Sequence, residues 1–352
     1  MWRRLGFVLK VVTIWGAITA YVVYSAVLAH RHRQEQSVER VAIDVVDSTS
    51  SGQLITSQRV KEMLLDKGIA TINTNVDRVD THAIKELICN ECFVDDVDIY
   101  ASYSGTLHIR ISQRTPILRL LVDGYNCYIT ENGYLFQSPA HAALYVPVVT
   151  GDYKPLFPRN FEGEMREVID SIRKECAEEI AAIGKKSNEI IVKRNDWQSY
   201  RKAVRDSVAS RKERQRYYDN IDGHIRDYNR TLEATAVERD AVLKRLEQKE
   251  REHNDFLNLI DLVAKLQSDK FWRAEIVQIV ATRGRNRELS LTFIPRSGNH
   301  RIHFGWIENV DDKLYRLRQF YDKVAVTSGW DSYKSVDLNY ADRVVCTYNK
   351  EK

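Results

Sequence analysis

Residues 106–116 read Thr106-Leu107-His108-Ile109-Arg110-Ile111-Ser112-Gln113-Arg114-Thr115-Pro116, and the fold turns on this stretch. Leu107, Ile109 and Ile111 alternate with His108, Arg110 and Ser112, the period of two expected of a half-buried strand. A Ser104-Gly105 turn joins it to a preceding strand candidate, residues 97–103. Upstream, residues 42–46 form a short β-branched run that also reads as a strand. Two helical patterns lie between. Thr56 or Ser57 can cap the first, whose apolar positions are Val60, Leu64 and Leu65 and which ends at Lys67-Gly68. Asp80-Thr81 caps the second, with Ile84, Leu87 and Ile88 on one face. The expected order is strand, helix, helix, strand, strand. Roughly 75 residues of this kind can bury one small core between two helices and a three-stranded sheet.

Toward the amino terminus, residues 11–29 carry no charge and are rich in Val, Ile, Ala and aromatics. Nineteen residues at about 1.5 Å each span about 28 Å, close to the thickness of a bilayer's hydrocarbon. Arg3, Arg4 and Lys10 precede the run, and Arg31 and Arg33 follow it. The expectation is a single membrane-spanning helix over 11–29, with a cytoplasmic tail at 1–10 and a juxtamembrane linker at 30–40. Val27-Leu28-Ala29 also offers a small-residue cleavage site, but the run exceeds the usual core of a signal peptide.

The whole chain has 352 residues, 43% of them hydrophobic and 29% charged, with a net charge of only +4. No strong basic field points to a nucleic-acid partner. The five cysteines, Cys89, Cys92, Cys127, Cys176 and Cys346, are odd in number and irregularly spaced, which is not a disulfide framework. Cys89 and Cys92 make a Cys-x-x-Cys pair, yet no second pair follows to complete a zinc site. Asp95, Asp96 and Asp98 alternate across a strand start and read as a solvated edge. No phosphate loop, dinucleotide fingerprint or nucleophile elbow is present, and His300 and His303 fall on opposite faces of a strand. The sequence therefore predicts no enzyme, no cofactor and no small-molecule substrate.

Between Pro158 and Pro295 there is no proline, and residues 161–260 hold 21 Lys or Arg against 21 Asp or Glu. Apolar residues recur in steps of three and four: Met165, Ile169, Ile172, Cys176, Ile180; then Trp197, Tyr200, Val204, Val208; then Tyr218, Ile221, Ile225, Tyr228. A stripe this narrow needs a partner helix, so 161–255 reads as a coiled-coil hairpin or three-helix excursion. Gly184 with Ser187-Asn188, and Asp222-Gly223, mark the expected bends. It would serve as a spacer, as a docking arm or as an elaboration without a separate role. Arg211, Lys212, Arg214 and Arg216 form a basic run that suits either a solvated helix face or anionic headgroups.

Beyond it, 256–266 reads as a helix packing inward through Leu259, Ile260, Val263 and Leu266. Strands follow at 274–282, 289–294 and 301–305, then a helix opened by Asp311 or Asp312 and carrying Leu314, Leu317, Phe320, Tyr321 and Val324. A strand pair, 335–339 and 343–348, closes the chain around Tyr340-Ala341-Asp342.

Taken together these pieces resemble the FtsQ/DivIB family of bacterial cell-division proteins. The first unit resembles a POTRA domain, its second helix followed by Phe93-Val94 and its last strand ending in the corner Arg114-Thr115-Pro116, with Gln113 where the family commonly has Glu. Residues 128–136 and the segment Val146-Pro147-Val148-Val149-Thr150-Gly151 are similar to the family's next strands. Gly305, Lys313-Leu314 and Asp337-Leu338-Asn339-Tyr340 are similar to its last motifs, with Asn339 replacing the usual Arg. The resemblance implies an α+β protein with one N-terminal transmembrane helix, a POTRA domain at 41–115, a β-domain with flanking helices in two parts, 116–160 and 256–349, and the helical insertion between them. It implies a single-pass inner-membrane scaffold of the division septum, its bulk periplasmic. Such a scaffold would bind FtsB/DivIC-like and FtsL-like partners along a C-terminal strand edge, and other septal proteins through the POTRA domain. Carried over by motif, that edge comprises Tyr340, Asp342, Arg343, Val344, Val345, Thr347 and Tyr348. Two other classes fit parts of the chain. One is a POTRA-bearing component of export or outer-membrane assembly, which would carry several such units or a barrel. The other is a membrane-anchored coiled-coil interaction protein.

Overall fold

The computed structural model describes residues 14–27, 37–46, 52–69, 71–102, 104–139, 143–284, 288–329 and 332–349. Its first element is helix α1, residues 14–27. This corrects the expectation of a membrane-spanning helix over 11–29. No helix among the described residues is long and apolar enough to cross a membrane. The expected tail, 1–10, and most of the expected linker, 30–40, lie outside the described residues.

The described chain is α+β with mixed sheets, and it divides into two units, Met1–Pro116 with Phe136–Val146 and Ile117–Leu135 with Pro147–Lys352. In the first unit β1 (Arg40–Val46), α2 (Ser57–Asp66), α3 (Thr81–Cys89), β2 (Val94–Ala101) and β3 (Thr106–Gln113) follow in that order. The sheet runs β1-β3-β2, with β3 in the middle, parallel to β1 and antiparallel to β2. Thr56 Oγ1 accepts the Arg59 N–H and Asp80 Oδ1 the Ala83 N–H, each supplying an acceptor to a helix start whose donors lack one. Val60, Leu64, Ile84 and Ile88 are buried, as are Leu107, Ile109 and Ile111 on the alternate positions of β3. Leu65, counted on the buried face of α2 from its spacing, is 76% exposed, and Met63 lies inside instead.

Gln113 explains its own departure from the family's Glu. It is buried, its Oε1 accepts the Leu54 N–H at 2.8 Å, and its Nε2 donates to the Gly52 carbonyl at 3.0 Å. A carboxylate could accept the first bond but not make the second. At the following corner Arg114 Nη1 meets Asp95 Oδ1 at 2.9 Å and its Nε donates to the Cys92 carbonyl. Asp96 is paired with Lys85 at 3.0 Å, which lowers the carboxyl's pKa. Cys89 and Cys92 are not joined in a disulfide, and no cluster of three or more His, Cys, Asp or Glu that could hold a metal occurs among the described residues.

The second unit is built on a ten-stranded sheet of β4 (Pro116–Val122), β5 (Tyr125–Thr130), β6 (Tyr134–Gln137), β7 (Val148–Gly151), β8 (Gly163–Glu164), β9 (Ile276–Arg283), β10 (Leu289–Pro295), β11 (Arg301–Gly305), β12 (Tyr333–Asp337) and β13 (Val345–Tyr348). Across the sheet the order is β13-β12-β11-β10-β9-β7-β4-β5-β6-β8. The parallel pairs β4/β7 and β7/β9 stitch the two halves of this sheet together across the helical insertion. Gly151 makes that seam possible: its φ is +114°, and a Cβ there would stand 2.2 Å from the Ala281 carbonyl oxygen.

The insertion is a two-helix hairpin, α4 (Met165–Ser207) and α5 (Arg211–Ser268). Gly184 and Gly223 sit inside uninterrupted helix; the chain turns instead at residues 208–210. One Gly costs a helix only about 1 kcal/mol, and a ladder of side-chain pairs offsets that. Arg173 meets Glu250 at 3.0 Å, Arg245 meets Glu179 at 2.6 Å, Ser187 Oγ bonds Thr235 Oγ1 at 2.9 Å, Trp197 stacks on His224, and Arg201 meets Asp222 at 3.0 Å. Partner numbers fall as those on α4 rise, so the helices run antiparallel in one register.

Nor does the hairpin stop at 255. The last turns of α5 run into the sheet domain, where Phe256, Leu259, Ile260, Val263 and Leu266 are buried with Leu118, Ile279, Leu291 and Phe293. Each such side chain contributes about 1.5–3 kcal/mol relative to exposure. Short α6 (Lys270–Glu275), capped by Asp269, leads into β9. Helix α7 (Val310–Phe320) adds Leu314, Leu317 and Phe320 to the same core.

Candidate partner-binding edge

β13 is the outermost strand at one end of the ten-stranded sheet. It pairs antiparallel with β12 through Tyr333↔Tyr348, Ser335↔Thr347, Val336↔Cys346 and Asp337↔Val345. Beyond the strand the Asn349 N–H donates to the Ser332 carbonyl at 2.9 Å. Because backbone groups alternate along an antiparallel strand, the amides of Val345 and Thr347 then point at β12. Those of Cys346 and Tyr348 point outward, and no described strand lies on that side.

Side chains alternate as well, and this separates the residues expected at the site. Val344 and Tyr348, with Cys346 between them, face α7 across an open groove of about 460 Å³. Phe320, Val324 and Tyr333 supply its apolar wall, and Lys323 and Arg343 stand at its margin. Tyr348 is 63% exposed, and its ring packs on Tyr333 with centroids 4.9 Å apart. A hydrogen bond with Tyr333 holds the Tyr348 phenol above its ordinary pKa. Val345 and Thr347 face the other way and are exposed. Tyr340, Asp342 and Arg343 lie in the turn before β13, all exposed, Tyr340 at 52%. The turn, the groove face and the opposite face are therefore three adjoining surfaces of one edge.

What fixes that edge was not among the residues singled out from sequence. Arg316 on α7 donates through Nη1 to the carbonyls of Tyr340 at 2.6 Å and Arg343 at 3.0 Å, while its Nε donates to Asp312 at 2.8 Å. Its side chain is mostly buried under the turn. The Asp312/Arg316 spacing is visible in the sequence, but the contact to a turn 24 residues away is not. Gly305 and Asn339 form a second clamp. Gly305 has φ +75°, and a Cβ there would meet Asn339 Oδ1 at 1.6 Å. Asn339 in turn donates through Nδ2 to Asp337 at 2.7 Å. Lys313 is buried, donates to the Trp306 carbonyl at 2.8 Å and lies over the Phe304 ring; burial lowers its pKa.

Two family models match the chain. One, described as a POTRA-like domain, covers residues 36–112, the strand-helix-helix-strand-strand unit. The other, described as FtsQ/DivIB, C-terminal related, covers residues 213–347, ending on β13. The chain is an FtsQ/DivIB-like protein. No curated protein matches it. The second match begins at the start of α5, so the returning helix of the hairpin belongs to the FtsQ/DivIB-related region, whereas α4 falls outside both matches. FtsQ/DivIB proteins form a non-enzymatic family of cell division that acts at the septum through protein–protein contacts.

Proposed function

We propose that this FtsQ/DivIB-like chain is a scaffold of the division septum that captures an FtsB/DivIC-like partner, together with an FtsL-like one, by accepting an extended segment against β13. The observation that supports this reading is the position of β13. It is a terminal strand whose outward amides have no described neighbour, set beside a groove that takes alternate side chains. Strand addition draws affinity from main-chain hydrogen bonds and selectivity from such a groove. Arg343 and Asp342 at its mouth give the edge a charge signature, and Tyr348 gives it an aromatic anchor. The POTRA-like unit offers a separate surface for other septal proteins.

Tyr348→Glu tests the reading. A charge placed on the groove face should lower co-purification of a DivIC-like partner by about 30-fold or more, the loss typical of one strong anchor. The unfolding midpoint should barely move, because Tyr348 is largely exposed. Undiminished recovery of the partner by a folded variant would remove β13 from the site.

A further inference from the structure

We propose that the tip of the α4–α5 hairpin is a docking surface for an anionic lipid bilayer. Residues 198–220, the end of α4, the turn and the start of α5, carry seven Lys or Arg and three Asp or Glu. With Asp222, the partner of Arg201, counted as well, the surplus is three, a local excess of positive charge at the end of an arm whose residues 161–260 balance overall.

Four of the seven cations at the tip are not consumed by the fold. Lower on the hairpin, arginines and lysines are paired across the two helices, from Arg173–Glu250 up to Arg201–Asp222. Above that level Lys202, Arg211, Lys212 and Arg216 are exposed and make no ion pair among the described residues. Arg214 alone turns inward, its Nε donating to the Val208 carbonyl at 3.0 Å and so fastening the turn. The amino-terminal end of α5 adds its own partial positive charge, with no side-chain cap bond from Ser210 and one acidic residue, Glu213, in its first turn.

A flat lipid surface fits the remaining geometry. Tyr200, seven residues before the end of α4, is 46% exposed, and Tyr217, seven residues after Ser210, is 47% exposed. Both therefore stand about 10 Å back from the turn. Two exposed tyrosines at equal depth, with lysine and arginine from that depth to the tip, match the layering of a bilayer interface. There, aromatic rings sit at the headgroup level and a peripheral element enters by about 5–10 Å. The rest of α4 above its core turns holds the tip about 50 Å from the sheet, a reach with no use in the sheet's own packing.

The test uses the full chain and its Arg211→Gln/Lys212→Gln/Arg216→Gln variant. Each is floated with vesicles of zwitterionic phosphatidylcholine alone or with about a third phosphatidylglycerol. One cation near an anionic surface is worth about fivefold in binding, so the variant should lose on the order of 100-fold on the mixed vesicles. High salt should weaken the wild type alone, and binding to pure phosphatidylcholine should be the same for both. Tyr217→Ser, which keeps every charge, should weaken binding to the mixed vesicles by a smaller factor. Equal binding of wild type and triple variant to the mixed vesicles would overturn the proposal. So would tighter binding of a short DNA duplex than of those vesicles at matched phosphate concentration.

Discussion

Single residues at the edge carry its shape. Gly305 ends β11 in a left-handed conformation and leaves the space that Asn339 occupies. Gly305→Ala is expected to cost about 2–3 kcal/mol, read as a shift of the urea midpoint, with weakened partner recovery because Asn339 must leave Asp337; an unshifted midpoint would mean that the turn is not clamped there. His253 is a different kind of residue. It lies buried on α5, and burial first, then the neighbouring Arg173 guanidinium, hold its pKa below 6.5. The unfolded chain therefore takes up a proton before the folded one does, so stability present above about pH 6.5 is lost as pH falls through the folded value. Urea midpoints measured between pH 7 and 5 should fall for the wild type and fall less for His253→Gln. Parallel slopes would show that the imidazole titrates alike in both states. Nothing in the sequence marks this histidine, whereas Gln113 and Gly305 stood out by position and acquired their reasons only from Leu54, Gly52 and Asn339.

At the scale of elements, local pattern and long-range pairing part company. The period-two run of β3, the caps Thr56 and Asp80, and the inward stripe of α5 at Leu259, Ile260, Val263 and Leu266 were all legible, because each depends on near neighbours in sequence. The hairpin turn was not. Glycines are readable as breakers, but whether a helix breaks depends on cross-helix partners such as Ser187–Thr235, which a single strand of sequence does not display. Nor was the expected membrane span borne out, since no helix among the described residues is long and apolar enough to cross a membrane. The hairpin itself is held by a thin seam of buried side chains, Cys176, Val204, Ile221 and Val242, flanked by exposed ion pairs worth about 0–1 kcal/mol each, while the core is held by its roots. Excising residues 174–249 and joining Arg173 to Glu250 through a short Gly-Ser linker should therefore leave cooperative unfolding and partner capture in place. Loss of the cooperative transition would show that the arm is part of the core.

The chain holds a POTRA-like unit and an FtsQ/DivIB-related sheet domain whose terminal strand has no neighbour on its outer side among the described residues and from which a charged arm extends. Of the candidate edge, the closing strand pair that carries Tyr340 to Tyr348 was legible through the order of motifs. Its division into turn, groove and outer face was not, since that depends on which side β12 takes, and Arg316 was hidden in a neighbouring helix. The central claim concerns backbone groups, and amide hydrogen exchange reads them directly. With a DivIC-like partner added, the outward amides of Cys346 and Tyr348 should slow by an order of magnitude or more, the inward amides of Val345 and Thr347 should change less, and β8 at the opposite end of the sheet should be unaffected. Exchange at Cys346 and Tyr348 that stays the same while the partner is demonstrably bound would contradict the account.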